Sequence, residues 1–198
     1  MYLYGASGHA KVIIDIIKSN NIKLEGLFDD NEKITQLNGY PVFQTSLIKS
    51  EMNLIISIGN NTIRKSIVEK VKINNFITLT HPSAIVSPSV KLGHGTVIMQ
   101  GAIVQADASI GNHVILNTAV SIDHECKIAN YVHISPNSTL CGNVEIGEGS
   151  WIGAGSVILP GVKIGKWSTI GAGSVVAKDI PDNSLAVGNR CKIIKTYK

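Results

Sequence analysis

The chain has 198 residues, 44% hydrophobic and only 16% charged, so one or two packed domains are expected and a disordered chain is not. A net charge of +4, with no Lys/Arg run or aromatic-studded basic stripe, argues against a nucleic-acid partner. No apolar run approaches the roughly 18 residues that a membrane span needs, so no membrane insertion is expected.

Residues 1–80 read as alternating strands and helices, the grammar of a parallel sheet and about half of a doubly wound dinucleotide domain. Tyr2–Tyr4 is a short strand. The glycine turn GASGHA follows, then a helix from Lys11 to Ser19 with Val12, Ile13, Ile16 and Ile17 on one face. Leu24–Phe28 is a strand that ends in Asp29 and Asp30. Asn38–Val42 is a turn and a strand, Asn53–Gly59 a buried strand, and Thr62–Ile73 an amphipathic helix. GASGHA falls short of a full GxGxxG, but it joins a strand to a helix, where backbone amides can take a phosphate. The Asp pair comes about 20 residues later, where ribose or base contacts belong. Gly59 and Asn60 end another strand at the same sheet edge, so three strand ends converge on one crevice. Arg64 reads either as a phosphate contact or as a charge on the helix surface.

Beyond Pro82 the grammar changes. Every sixth residue from Val86 to Val176 is Val, Ile or Leu, sixteen positions without a break. Four residues later in each unit stands a small or β-branched residue, such as Thr96, Ala102, Cys126 or Ser138. A period of six is neither helical nor that of a strand; it is an architectural repeat. Three units close a triangular coil of about 18 residues, stacked as parallel strands ~4.8 Å apart. About five such coils fit between Val86 and Val176, and no long loop interrupts them.

One unit, Asp123-His124-Glu125, places three ionisable residues between the inward Ile122 and Cys126, on the rim of the coil. A solvated turn would account for them. One coil higher, however, Gly142 stacks on His124, and a base beneath a free amide suits acyl transfer: the base takes a proton while the amide holds the oxyanion. Either Asp123 or Glu125 can orient the imidazole. The cysteines Cys126, Cys141 and Cys191 form no CxxC pair, and MYLYGASGHAK lacks a secretory leader pattern. Free thiols in the cytoplasm are expected, with the cysteines packing rather than reacting.

The repeat resembles the hexapeptide-repeat acyltransferases, which implies a left-handed parallel β-helix and a homotrimer with active sites between subunits. With LNT at Leu116–Thr118, DHEC at Asp123–Cys126 and Cys141-Gly142-Asn143, nearly the whole chain resembles the nucleotide-sugar N-acetyltransferases of bacterial glycan synthesis, a group that also includes sialic acid O-acetyltransferases. The fold implied is an α/β domain over residues 1–80 and a β-helix over 81–198. The activity implied is direct acetyl transfer from acetyl-CoA to an amino group, at C4, of a nucleotide-linked sugar, without a metal. His124 would be the base, Glu125 its partner, and Gly142 the oxyanion donor and a cofactor contact. The resemblance puts Ser7, Gly8 and His9 near the phosphates, Asp29 and Asp30 near ribose and uracil, Gly59 and Asn60 in the pocket, and Asn117 on the sugar. For acetyl-CoA it implies His133, met by the next subunit's catalytic face, the Gly153-Ala154 and Ala172 turns along pantetheine, and Arg190 with Lys192 at the phosphates. NEKITQLNGYPV, longer than the nearest pattern, leaves UDP, GDP and dTDP open. Three rivals stand beside this reading. One is an O-acetyltransferase. Another is a metalloenzyme like the γ-type carbonic anhydrases, for which His94 and His113 fall at phases similar to His133 but no H-x4-H pair exists. The third is an inert β-helix that only binds or assembles.

Overall fold

The structure is a computed structural model and describes residues 1–197. The first part is an α/β unit: β1 (Tyr2–Tyr4), α1 (Gly8–Ser19), β2 (Gly26–Asp29), β3 (Gln36–Leu37), β4 (Tyr40–Gln44), β5 (Asn53–Ile56), α2 (Asn61–Lys70) and β6 (Asn75–Phe76). The sheet order is β3-β4-β2-β1-β5-β6, parallel except for the β3–β4 hairpin. The chain leaves β1 toward β2 on one side and returns to β5 on the other, so the topological switch lies at the carboxyl ends of β1 and β5. α1 starts at Gly8, three residues before the expected Lys11, because the glycine turn winds straight into the helix behind an extended Ser7. α2 is capped by the Asn60 Oδ1, which accepts from the Ile63 N–H at 3.0 Å. It stops at Lys70, short of Ile73. The two-residue β6 has no period from which it could have been read.

The second part is the left-handed β-helix. It takes up the chain at Leu79–Thr80, which pairs with Val97–Ile98, and ends at Ser184–Val187, so it runs further at both ends than the five coils expected. Its three faces hold seven, six and five parallel rungs. In the rungs from Val97–Ile98 to Val175–Val176 the second residue points inward: Ile98, Leu116, Ile134, Ile152 and Ile170 on the first face, Val104, Ile122, Leu140, Ile158 and Val176 on the second, and Ile110, Ile128, Ile146 and Ile164 on the third, all buried. The small slots are hydrogen-bonded as well as small. Buried Thr96, Ser138, Ser150 and Ser156 donate to the carbonyls of Gly111, Gly153, Gly165 and Gly171 in the coil above. Each hydroxyl is therefore satisfied inside an apolar column. A hairpin of Ser184–Val187 with Lys192–Thr196 closes the top edge.

The faces differ in what they carry outward. Leu79, Val97 and Ile115 on the first face are buried with α1 and β1 in one core, so the α/β unit sits on that face. The third face is a charge ladder, Lys127–Glu145 at 3.3 Å and Glu145–Lys163 at 3.5 Å. The second face shows Ile85, Ile103, Ser121, Thr139, Val157 and Val175, apolar or small, and no element of the described chain is paired across it.

Corner glycines are of two kinds. Gly155 has φ +66 and open space around it, whereas a Cβ on Gly153 would lie 2.5 Å from the Ala172 nitrogen and 2.6 Å from the Ile170 oxygen, both backbone. Gly153→Ala is therefore expected to destabilise by about 2 kcal/mol through forced coil separation. Gly155→Asn, in a region that asparagine tolerates, should cost under about 1 kcal/mol. Parallel thermal melts of the two variants check this; equal shifts would contradict it.

Candidate active site

His124 and Glu125 lie on the corner between the second and third faces. Ile122 and Cys126 are fully buried on either side of them, so the corner projects from a rigid column. The repeat turns at every sixth residue through a left-handed conformation, and Glu125 occupies it with φ 59. Non-glycine residues pay roughly 1–2 kcal/mol there. At this slot Asp, Asn, Ala and Gly predominate, and the aromatics His113, Tyr131 and Trp167 sit at the corner near α2. Glu125 fits neither pattern. Its Oε2 lies 3.1 Å from His124 Nδ1, leaving Nε2 free. Asp123 points elsewhere, and its Oδ1 accepts from the backbone N–H of His124 at 2.8 Å. The carboxylate on the imidazole is thus Glu125, and Asp123 shapes the turn.

Gly142 stacks on the ring as the coil arithmetic requires. A Cβ there would be 2.6 Å from both His124 Cε1 and Nε2. The Asn143 N–H is spent on the His124 carbonyl at 2.9 Å. At other corners a side chain caps the equivalent amide, as Asn112 does for His94, Asn130 for Asn112 and Asn117 for Thr118. Cys141 precedes Gly142 and offers no such cap, and the Gly142 N–H has no partner among the described residues. A free imidazole nitrogen and a free amide therefore stand in adjacent coils at one corner. The thiols are poor nucleophiles by contrast: burial pushes Cys126 up to about 11 and also raises Cys141.

A second cluster forms where the α/β unit meets the first face. His133 is buried; its Nδ1 lies 3.3 Å from the Gly59 carbonyl and its Nε2 3.0 Å from Asn117 Nδ2. A carbonyl can only accept, so Nδ1 carries the proton and Nε2 accepts from the Asn117 amide. Asn117 Oδ1 accepts from Thr118 N–H at 2.8 Å, which leaves one Asn117 N–H unspent. The His9 ring stands 6.4 Å from that of His133, and its buried Nε2 has no partner among the described residues. The structure therefore groups His133 with Gly59, His9 and Asn117, residues expected at the sugar nucleotide, rather than with the turns expected at acetyl-CoA. Ser7 and Gly8 are exposed at the start of α1. Asp29 holds the glycine turn through the Ala6 N–H at 2.7 Å. Asp30 receives Tyr4 Oη and Thr45 Oγ1, and with Lys70 nearby these bonds keep its carboxyl low. Gly153, Ala154 and Ala172 line the corner between the first and second faces, above Asn117, one face away from His124. Arg190 lies at the top, in a cavity of ≈ 580 Å³ with Lys178 and Lys192 and no carboxylate.

Arg64 is neither a phosphate contact nor a surface charge. Its side chain is 1% exposed. Nε donates to His113 O (2.9 Å), Nη1 to Ile58 O and Gly59 O (3.0 and 3.1 Å), and Nη2 to Asn61 Oδ1 and Tyr131 O (2.9 and 2.8 Å). Next to it Lys65 meets Glu148 at 2.7 Å over the Tyr131 and Trp167 rings. These residues dock α2 onto the β-helix, and nothing in the local sequence hints at partners 49 or 67 positions away. His113 and His94 are not in phase with His133: Ile115 and Val97 stack beneath it, while His113 packs edge-on to Phe76 at 4.7 Å. Among the described residues no three His, Cys, Asp or Glu converge as a metal site.

Burial, then the Arg64 charge, holds His9 down to about 4; burial, then His94 and Arg64, does the same to His113; burial, then Arg64 and His9, takes His133 to about 3. All three are neutral in the fold, whereas an unfolded chain protonates them near 6.5. Below that pH the unfolded state binds more protons. Their stabilisation is complete above about 6.5 and is lost as pH falls toward the folded values. Thermal melts should show Tm dropping between about pH 6.5 and 4.5; a flat profile there would contradict neutral buried rings.

Residues 1–71 match the family described as PglD N-terminal domain, and residues 143–178 match bacterial transferase hexapeptide (six repeats). The chain is similar to PerB from Caulobacter crescentus, solved with CoA and GDP-perosamine: 35% identity, 98% of this chain, 96% of that one, TM-score 0.93. That enzyme, a perosamine N-acetyltransferase, has also been solved with one histidine changed to asparagine. The acetyltransferase domain of PglB from Neisseria gonorrhoeae FA1090 is 36% identical over 98% of both chains, TM-score 0.91. UDP-N-acetylbacillosamine N-acetyltransferase of Bacillus subtilis (strain 168) is 42% identical over 107 residues, and the match spans about half that relative's length (50%).

Proposed function

The chain belongs to the hexapeptide-repeat nucleotide-sugar N-acetyltransferases, and from that premise we propose that it acetylates the C4 amine of a UDP-linked amino-deoxy sugar with acetyl-CoA. The single observation that carries the mechanism is the stack of Gly142 on His124, with Glu125 on the far nitrogen. Glu125 keeps the proton on Nδ1, so Nε2 is the base. As the amine attacks the thioester carbonyl, its proton passes to Nε2 and the carbonyl oxygen takes the Gly142 N–H. The C–S bond then breaks, and the imidazolium returns the proton to the CoA thiolate. No acyl-enzyme forms.

The sugar nucleotide takes the crevice at the switch point, phosphates toward Ser7, Gly8 and His9 at the α1 N-terminus, base and ribose toward Asp29 and Asp30, and sugar toward Asn60, Gly59, His133 and the free Asn117 N–H. Acetyl-CoA lies along the Gly153-Ala154 and Ala172 corner and ends at Lys178, Arg190 and Lys192, cations with no carboxylate partner among the described residues. The crevice and the Gly153-Ala154 and Ala172 corner lie one face away from His124 on the same chain, whereas Lys178 stands on the His124 corner three coils above. The apolar second face between them is what a second copy would cover, so the reading includes a homotrimer whose sites combine His124 of one subunit with the crevice of another. The three free thiols suit a reducing cytoplasm.

The test is CoA-thiol release from acetyl-CoA with UDP-, GDP- and dTDP-linked 4-amino sugars and free sialic acid in parallel, with light scattering of the enzyme. Turnover of the UDP sugar and a trimeric mass are expected. Turnover of a GDP or dTDP sugar alone reassigns the base, turnover of sialic acid alone reassigns the acceptor to a hydroxyl, and release with none of them overturns the proposal.

A further inference from the structure

A guanidinium is always charged at neutral pH and loses its hydration when buried. Arg64 is buried, and no carboxylate among the described residues reaches it. Of its hydrogen bonds within 3.5 Å, one goes to Asn61 Oδ1 and all the others to main-chain carbonyls, those of Ile58, Gly59, His113, Tyr131 and Val132. Burial draws it down to about 9, still protonated. If Arg64 did nothing but dock α2, an apolar side chain of similar volume would serve without that desolvation. What an apolar side chain cannot do is fix carbonyl positions. The carbonyls it fixes are specific: those of His113 and Tyr131 belong to adjacent coils of the β-helix, and those of Ile58 and Gly59 follow the β5 strand at the crevice. Gly59 O is shared, accepting both Arg64 Nη1 (3.1 Å) and His133 Nδ1 (3.3 Å). His133 in turn holds Asn117.

We infer that Arg64 is a positioning residue for the nucleotide-sugar crevice, fixing the Ile58–Gly59 strand end against the β-helix and, through the Gly59 carbonyl, setting the His133–Asn117 pair that meets the sugar. This rests on the reading of that crevice as the sugar-nucleotide site. Arg64 touches neither substrate nor the His124 corner. Its loss should therefore act on the acceptor and leave acetyl-CoA alone.

The experiment compares wild type, Arg64→Lys, Arg64→Ala and Asn61→Ala, the last removing one acceptor from the guanidinium, together with the Asn61 bonds to Gly149 O and Ser150 O, while leaving the charge in place. Lysine keeps the charge but lacks the planar fork that spans both domains. Arg64→Lys should raise KM for the sugar nucleotide by at least about tenfold while KM for acetyl-CoA stays within about twofold and the pH profile of kcat is unchanged. Asn61→Ala should give the same split in smaller degree, which keeps a test should the Arg64 variants fail to fold. Guanidinium at non-denaturing concentration should restore the acceptor KM of Arg64→Ala. Variants that lose thermal stability with no KM split, or that raise both KM values together, would reduce Arg64 to a structural staple and overturn the inference. Wild type that binds no sugar nucleotide by calorimetry would instead overturn the reading of the crevice, a separate outcome.

Discussion

Replacing His124 with alanine is expected to lower kcat for CoA release by about 10²–10⁴-fold, the usual contribution of a positioned general base. The fold should not register the change. The His124 side chain is 58% exposed, and its one hydrogen bond is to an exposed carboxylate. Exposed pairs of that kind contribute at most about 1 kcal/mol. KM for acetyl-CoA should stay near the wild-type value, because the ring sits at the end of the acyl path and not along pantetheine. Steady-state kinetics with both substrates varied, together with a melt of the same preparation, decides it. A variant that keeps a tenth or more of wild-type kcat would remove His124 as the base, and water or the sugar's own groups would have to take the proton.

The second large effect is expected at Gly142. Gly142→Ala adds a methyl 2.6 Å from His124 Nε2 and Cε1. Something must move, and the mobile partner is the exposed imidazole. The fold therefore survives while the base swings out of line. A drop in kcat of about 10²–10³-fold is expected, the scale of losing one oxyanion donor. The double variant gives the sharper test. If base and amide act on one transition state at one point, His124→Ala with Gly142→Ala should be scarcely slower than the worse single variant. Fully additive losses would mean that the two act at separate places, and the stacked geometry would lose its mechanistic meaning.

These two residues are legible in the chain itself because an unbroken period of six makes residue i+18 the neighbour above residue i. Such arithmetic needs only the sequence: every inward slot from Ile98 to Val176 lies where the period puts it, buried. The arithmetic weakens at the ends. Leu79–Thr80 and Ser184–Val187 extend the coils without keeping the repeat's residues: the first pairs with a rung on one side only, and the second lies between the last rung and the antiparallel Lys192–Thr196. It also fails for side-chain direction. Asp123 and Glu125 flank His124 equally in sequence. The left-handed φ of Glu125 aims one carboxylate at the ring, while Asp123 turns back onto the backbone.

By itself, then, the sequence determined the β-helix, its inward columns, the α/β unit before it and the His124–Gly142 stack, because each follows from local periodicity or from a fixed offset along the chain. Tertiary structure alone decided what depends on docking one part against the other. Arg64 left the surface for a buried clamp, and His133 packs at the crevice beside His9 and Gly59. The contacts among them that cross between the two parts join residues 49 to 124 positions apart, and no period links them. Their partners are set by how the α/β unit rests on the first face, a packing outcome that burial of Leu79, Val97 and Ile115 against α1 enforces only once both parts are folded.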